Sequence, residues 1–533
     1  MRHLRKWLIL SHRYLGTALG ALFVLWFASG IVMIYAGGMP QLSPELRRER
    51  LAALNTAAIT LSPAEAAERA TVEDPQRATI VTVLDRPAYR FGGRTVFADT
   101  GEILAPVDQA TSQSIAARFL SVPPSEIEFM HTVSEPDQWT MTQSRALPLL
   151  KFRALDDDKT ELYVSPRNAE VVLATTNQDR LLAWLGVIPH WLYFAPLRLN
   201  QPLWYAVVVY ASEVACVVAL LGLVVGLMRF KPTKPLRVMA SIPYAGWMRW
   251  HYVAGAIFGV FTLTWAFSGL LSMEPFEWTN ATGLEFERDV MSGGALEPAR
   301  FPKAEPAVWS AIAGERAIKE IELTRIQDEP YYVVRLGRTA AAVRRERLHQ
   351  PYPIAGRAEA DRLLVSASTM KVKREPFSAE SLVQRLEAAA PGVAVVEQAV
   401  LTEYDDYYYS RRGQTPLPVL RIKFDDPMQT WVYVDPTMSQ VLAAVHRLNR
   451  VERWFYNGLH SLDFAFWYRS WLWDVGVILL CLGGLTTSAI GTVIGYGRLW
   501  RGVRSAVRWL PAATPALPTA SPSDYPQPHG RDS

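Results

Sequence analysis

Long apolar runs alternate with long polar stretches along the chain. Four runs, about residues 12–35, 203–228, 251–273 and 471–496, are apolar over the roughly 20 residues that a bilayer requires. The intervening stretches, 36–202 and 274–470, mix helix-like segments (Pro63 to Ala70, Ser378 to Ala389) with short alternating runs between turn signals. Phe97 to Leu104 and Glu161 to Leu173 each read as strand, turn, strand. The expected fold is a four-transmembrane-helix bundle carrying two extracytoplasmic α+β domains.

The first span is repeated. At an offset of 239 (251 − 12), His12 meets His251, Gly16 meets Gly255, Gly20 meets Gly259, Trp26 meets Trp265, and Ser29-Gly30 meets Ser268-Gly269. At an offset of 270 (460 − 190), Leu147-Pro148 meets Leu417-Pro418, Tyr163-Val164 meets Tyr433-Val434, and His190 meets His460. This implies a tandem duplication of one unit: a histidine-led helix, an α+β domain, a histidine-bearing approach segment and a second helix.

Basic residues orient the spans. Arg2, Arg5, Lys6 and Arg13 lead the first; Arg229, Lys231, Lys234, Arg237 and Arg249 lie in or beside the 229–250 linker; Arg498, Arg501, Arg504 and Arg508 follow the fourth. These ends are expected in the cytoplasm, with 36–202 and 274–470 on the trans side, the periplasm in a Gram-negative host. The first span has no cleavage-site pattern and is expected to stay as an anchor. Residues 497–533 read as a basic segment followed by a disordered tail, in which His529 has no assigned chemistry.

Composition agrees with a membrane protein bearing polar domains: 50% of the 533 residues are hydrophobic and 20% charged. A net charge of +4 gives no support to a nucleic-acid partner. Cys216 and Cys481 both lie in apolar runs and make no disulfide framework.

Nine histidines are present, and the four that the repeat preserves are the four beside spans. His3, His131, His349, His446 and His529 have no partners at ligand spacing. His12 and His251 enter helices on the cytoplasmic face, whereas His190 and His460 precede helices on the trans face. The two faces are roughly 30 Å apart, and axial ligands of one iron must each come within about 2 Å of it. Pairing is therefore possible only within a face, His12 with His251 and His190 with His460. Gly16, Gly20 and Gly30 share a helix face with His12 that would admit a flat group. Two histidines per face without carboxylate or thiolate suit zinc, magnesium or calcium poorly and suit haem b well, and no covalent haem-attachment motif occurs. Ligation at one face only, and interfacial or packing histidines, remain alternatives.

Other residues stand out. Glu213, alone in an apolar run, reads either as a proton or quinol contact or as a protonated acid bonded to Thr486 or Ser488. Asp463 could orient His460 by accepting its other N–H or could be a solvated acid. Trp26 and Trp265 are expected between the two haem levels or as lipid- or core-facing aromatics. Tyr404 to Arg412 mixes aromatic, acidic and cationic groups that could hold a ferric chelate or form an edge strand with a charged turn.

The His12-Arg-x-x-Gly16 entry, its counterpart at His251 to Gly255, Leu459-His460 and the strand-turn-strand before each second helix resemble the PepSY-associated transmembrane family. Iron-regulated inner-membrane proteins and ferric-siderophore reductases belong to this group. The sequence departs from the usual Leu-His at Pro189-His190. The resemblance implies an inner-membrane haem protein with periplasmic PepSY domains and His12, His251, His190 and His460 as axial ligands, reducing a chelated ferric iron. No flavin or nicotinamide fingerprint occurs, so electrons would come from quinol or a partner reductase. The competing expectation is a non-catalytic membrane protein whose PepSY domains bind a peptide or protease, or relay a signal.

Overall fold

A computed structural model describes residues 2–507 apart from 74, 234–237, 281–282, 288, 338–361, 411–414 and 469. Lys234, Arg237, His349, Arg411, Arg412, Arg508 and the tail with His529 lie outside the described residues. Among the described residues, four helices are long and apolar enough to cross a membrane. They are Arg2–Ala36, Gln201–Arg229, Gly246–Leu271 and Trp471–Val507, here the first to fourth membrane helices. The first begins ahead of the apolar run and the fourth runs past it, because no proline interrupts either extension. The helices pack in cyclic order, each against its two sequence neighbours and the first against the fourth. The first and third therefore face one another across the bundle. Cys216 and Cys481 are both free.

Among the described residues, the polar segments build three antiparallel sheets. The first segment supplies β1 (Ala78–Val83), β2 (Arg86–Phe91) and β3 (Arg94–Phe97), then β4 (Ile127–Val133), β5 (Leu149–Ala154), β6 (Glu161–Ser165) and β7 (Glu170–Thr175). The second supplies β8 (Ile318–Ile326), β9 (Glu329–Leu336) and β10 (Arg362–Ser366), then β11 (Val395–Leu401), β12 (Val419–Phe424), β13 (Trp431–Asp435) and β14 (Gln440–Val445). Each segment has its own four-stranded sheet, β4-β5-β6-β7 and β11-β12-β13-β14. The remaining strands form one six-stranded sheet in the order β10-β9-β8-β1-β2-β3.

This joint sheet draws on both polar segments. β1 pairs with β8, Ala78 opposite Leu323 and Val81 opposite Glu320, so strands from both segments share a ladder. Beneath it, Ile80, Tyr89 and Val96 pack in one core with Ile321, Tyr332 and Val334. Neither three-stranded half would bury this face alone, which is why the pairing forms. Its β1-β2 and β8-β9 hairpins turn alike, with left-handed backbone at Leu84 and Asp85 (φ 49° and 63°) and at Gln327 and Asp328 (φ 49° and 68°). Two consecutive positive-φ residues are what a tight two-residue hairpin requires. The Phe97 to Leu104 run is a strand end, a turn at Gly101 and a single bridge from Val96 to Ile103 rather than two full strands.

The four-stranded sheets carry matching features. One helix covers each, Gln109–Leu120 and Ala379–Ala389, the latter capped by Ser378. Both have a register shift, at Tyr163/Val164 and at Tyr433/Val434, and a cis peptide, at Leu147-Pro148 and at Leu417-Pro418. On their other faces Tyr163 and Tyr433 are fully buried beneath the loops that carry Trp139 and Tyr408. These loops continue onto the approach segments: Trp139 packs beside Val187 and Ile188, and Tyr409 packs edge-on against Tyr468.

Candidate functional site

His12 and His251 meet at the centre of the bundle, their ring centroids 6.3 Å apart and their planes 31° to each other. They project from the first and third helices, which face one another, at the level of the N-terminus. His190 and His460 meet at the level next to the sheets, centroids 6.2 Å apart and planes at 70°. His190 belongs to a short helix, Val187–Trp191, and His460 follows the π-helical turn Trp454–Gly458. Ring packing of Tyr456 on His460, centroids 5.5 Å apart, steadies the second.

A common seat holds all four imidazoles. Each lies over a glycine of a neighbouring helix, where a Cβ would meet its Cε1: Gly222 under His12 at 2.9 Å, Gly491 under His251 at 2.9 Å, Gly30 under His190 at 3.4 Å and Gly269 under His460 at 3.6 Å. The missing side chain uncovers the carbonyl four residues earlier. His12 Nδ1 reaches Val218 O at 3.1 Å, His251 Nδ1 reaches Thr487 O at 3.0 Å, and His190 Nδ1 reaches Trp26 O at 3.2 Å. His460 Nδ1 is 3.1 Å from Ser268 Oγ, and Ser29 Oγ lies 3.2 Å from His190 Nδ1. A carbonyl can only accept, so the proton resides on Nδ1 and the Nε2 lone pair remains for a ligand.

The levels are well separated along the bundle axis. From His12 to Gly30, and from His251 to Gly269, is 18 residues (30 − 12; 269 − 251), or about 27 Å of helix. Between them Phe27 packs against Trp265, centroids 5.8 Å apart, and Phe27 and Phe258 lie over the adjacent Gly484 and Gly483 of the fourth helix. Aromatic rings thus pack between the levels.

The donor set can be tested against a metal. Imidazoles on opposite sides of one ion, at about 2 Å per metal–nitrogen bond, place their ring centroids about 6 Å apart. Both pairs have that spacing. No group of three or more His, Cys, Asp or Glu side chains converges among the described residues. Two opposed neutral imidazoles suit an ion whose remaining positions are filled by a macrocycle, and haem fits this set.

A family model, described as the PepSY-associated TM region, matches residues 9–498. The chain belongs to this family. No curated protein matches it in sequence.

In this PepSY-associated protein several other residues do work different from that expected of them. Asp463 does not orient His460. Its carboxylate accepts from Tyr409 Oη and from Arg453 Nη1 at 3.0 Å, while Arg453 Nη2 bonds the Asp463 carbonyl at 3.0 Å and Arg453 Nε bonds Asp406 O at 2.7 Å. Burial raises the Asp463 carboxyl above its usual range despite these partners. Thr486 and Ser488 donate to Leu482 O and Gly484 O on their own helix, leaving Glu213 without a hydrogen bond or ion pair among the described residues. Trp265 donates Nε1 to His460 O at 2.8 Å, and the carbonyl of Trp26 serves His190, so both tryptophans support the sheet-side level.

The expected glycine face divides by role. Gly30 and Gly269 seat imidazoles, whereas Gly20 and Gly259 receive Thr492 and Leu223 in close helix packing. Within residues 404–410, Asp405, Tyr404 and Tyr408 are engaged inside the protein. Asp405 takes the N–H groups of Tyr407 and Tyr408 with one oxygen and Arg421 and Tyr433 with the other. Tyr404 and Tyr408 donate to Thr415 O and Pro416 O. Residues 404–410 are a loop between β11 and β12, not an edge strand.

Proposed function

We propose that the protein carries electrons across the bacterial inner membrane through two b-type haems, one held by His12 and His251 and the other by His190 and His460, and delivers them to a ferric chelate in the periplasm. The observation that carries this reading is the pair of opposed imidazole sets, each with Nδ1 engaged and Nε2 free, at two depths of one bundle. The tandem repeat accounts for both sets together. Haem supplies reversible one-electron chemistry when bound. The protein's part is to hold each ring in a fixed tautomer, to pack aromatic rings between the levels, and to leave the sheet-side level near the polar domains. Basic residues at the N-terminus, in the 229–250 linker and beyond the fourth span support cytoplasmic ends and periplasmic sheets. Quinol or a partner reductase would be the donor.

Purified protein in sealed vesicles containing a quinol pool and an internal reductant tests this. An external ferrous-specific chelator should report iron reduction of an added ferric siderophore, and the reduction should stop in His460→Ala. A haem-loaded wild type that leaves the ferric chelate intact would remove the reductase reading, and a colourless protein would favour a binding or signalling role.

The seats give a second expectation. In Gly491→Val the added side chain occupies the His251 position, so the haem at the N-terminal level should be lost and the sheet-side haem retained, read as about half the wild-type haem content. Retention of both would mean that the glycine seat is not needed.

A further inference from the structure

The two levels hold their imidazoles differently. At the N-terminal level the Nδ1 atoms of His12 and His251 bond main-chain carbonyls, at 3.1 and 3.0 Å. At the sheet-side level each Nδ1 also meets a serine hydroxyl: Ser29 at 3.2 Å from His190 and Ser268 at 3.1 Å from His460. Each serine immediately precedes a seating glycine, where the other level has Leu221 and Ile490. Ser29 is 1% exposed and Ser268 0%. Their own protons are directed down their helices, from Ser29 Oγ to Leu25 O at 2.6 Å and from Ser268 Oγ to Trp265 O at 3.2 Å. A hydroxyl so committed can only accept from the imidazole, which fixes both tautomer and ring rotation.

We propose that Ser29 and Ser268 are positioning residues that set the ring orientation and the basicity of His190 and His460 toward the metal at the sheet-side level, and thereby its reduction potential. The inference rests on the haem reading above. An imidazole whose N–H is bound by an acceptor is a more basic ligand through its other nitrogen and favours the ferric state. Main-chain acceptors cannot be removed by side-chain substitution, whereas hydroxyls can, so the sheet-side level is the adjustable one. Each ring also has a main-chain carbonyl beside it, that of Trp26 for His190 and that of Trp265 for His460, so each serine adds to that acceptor.

The test uses the full chain, purified with haem, followed by electron paramagnetic resonance of the ferric form and by potentiometric titration in the visible range. His190→Ala first identifies the sheet-side signal. Ser268→Ala and Ser29→Ala should each shift that signal and raise its midpoint, and Ser268→Thr should stay close to wild type, with the other haem unchanged throughout as an internal control of folding. Loss of the sheet-side haem in Ser268→Ala with retention in Ser268→Thr supports the same conclusion. Ser268→Ala with both haems unaltered, or with both shifted alike, overturns it while leaving the haem reading intact; wild type without haem overturns both.

Discussion

On the proposed ligation, His12→Ala should lower the haem content from about two per chain to about one, and adding His251→Ala should lower it no further, because both imidazoles would serve one iron. His190→Ala and His460→Ala should behave the same way with the other haem. Joining across levels is different: His12→Ala with His460→Ala should leave none. This pattern follows from which rings face each other, 6.3 Å apart at one level and 6.2 Å at the other. It separates ligation from general destabilisation, which would make every double variant worse than its parents. Haem quantified against protein, with visible spectra for each single and double variant, checks it. Additive loss within a level would contradict the pairing.

The second large effect is expected at Arg453. Its guanidinium is 7% exposed and ties Asp463, 13% exposed, to the loop that carries Tyr409. Removing one partner of a buried ion pair leaves an uncompensated charge, so Arg453→Ala should cost about 3–5 kcal/mol. Replacing both by apolar residues, Arg453→Met with Asp463→Leu, should recover most of that cost. Unfolding in detergent measures both variants, and equal loss in the single and the double would show that the pair is not the source. The first repeat makes the double plausible, since Ala183 and Tyr193 occupy the corresponding positions without such a pair.

Much of the bundle was legible from apolar length alone, and the four histidines stood out because the repeat preserves them while the other five are unpaired. Their pairing by depth follows from the thickness of a bilayer. The seats under His12 and His251 were hidden for a simple reason. Gly222 and Gly491 are 269 positions apart (491 − 222), one fewer than the 270 that relates His190 to His460. Extending the repeat without a gap sets Gly222 against Thr492 and conceals the match. Ser29 and Ser268 were visible as repeated residues, but their role depends on which ring approaches from another helix.

Asp463 illustrates a different limit. Three positions from His460, it suggests an acceptor for that imidazole, yet Arg453 and Tyr409 hold it from the other side, and the two partners come from an adjacent helix and a distant loop. The joint six-stranded sheet was equally unreadable. β1 and β8 are separated by a whole repeat, and a strand pattern reports which face is buried, not which edge finds a partner.

The most direct test of the central claim is the haem content of the purified full-length protein, expressed with ample haem supply and assayed by pyridine haemochrome against quantitative amino-acid analysis. Two b-type haems per chain, both low-spin in the reduced-minus-oxidised spectrum, are predicted from the two opposed imidazole pairs. A colourless protein that is folded and takes up no added haem would contradict it.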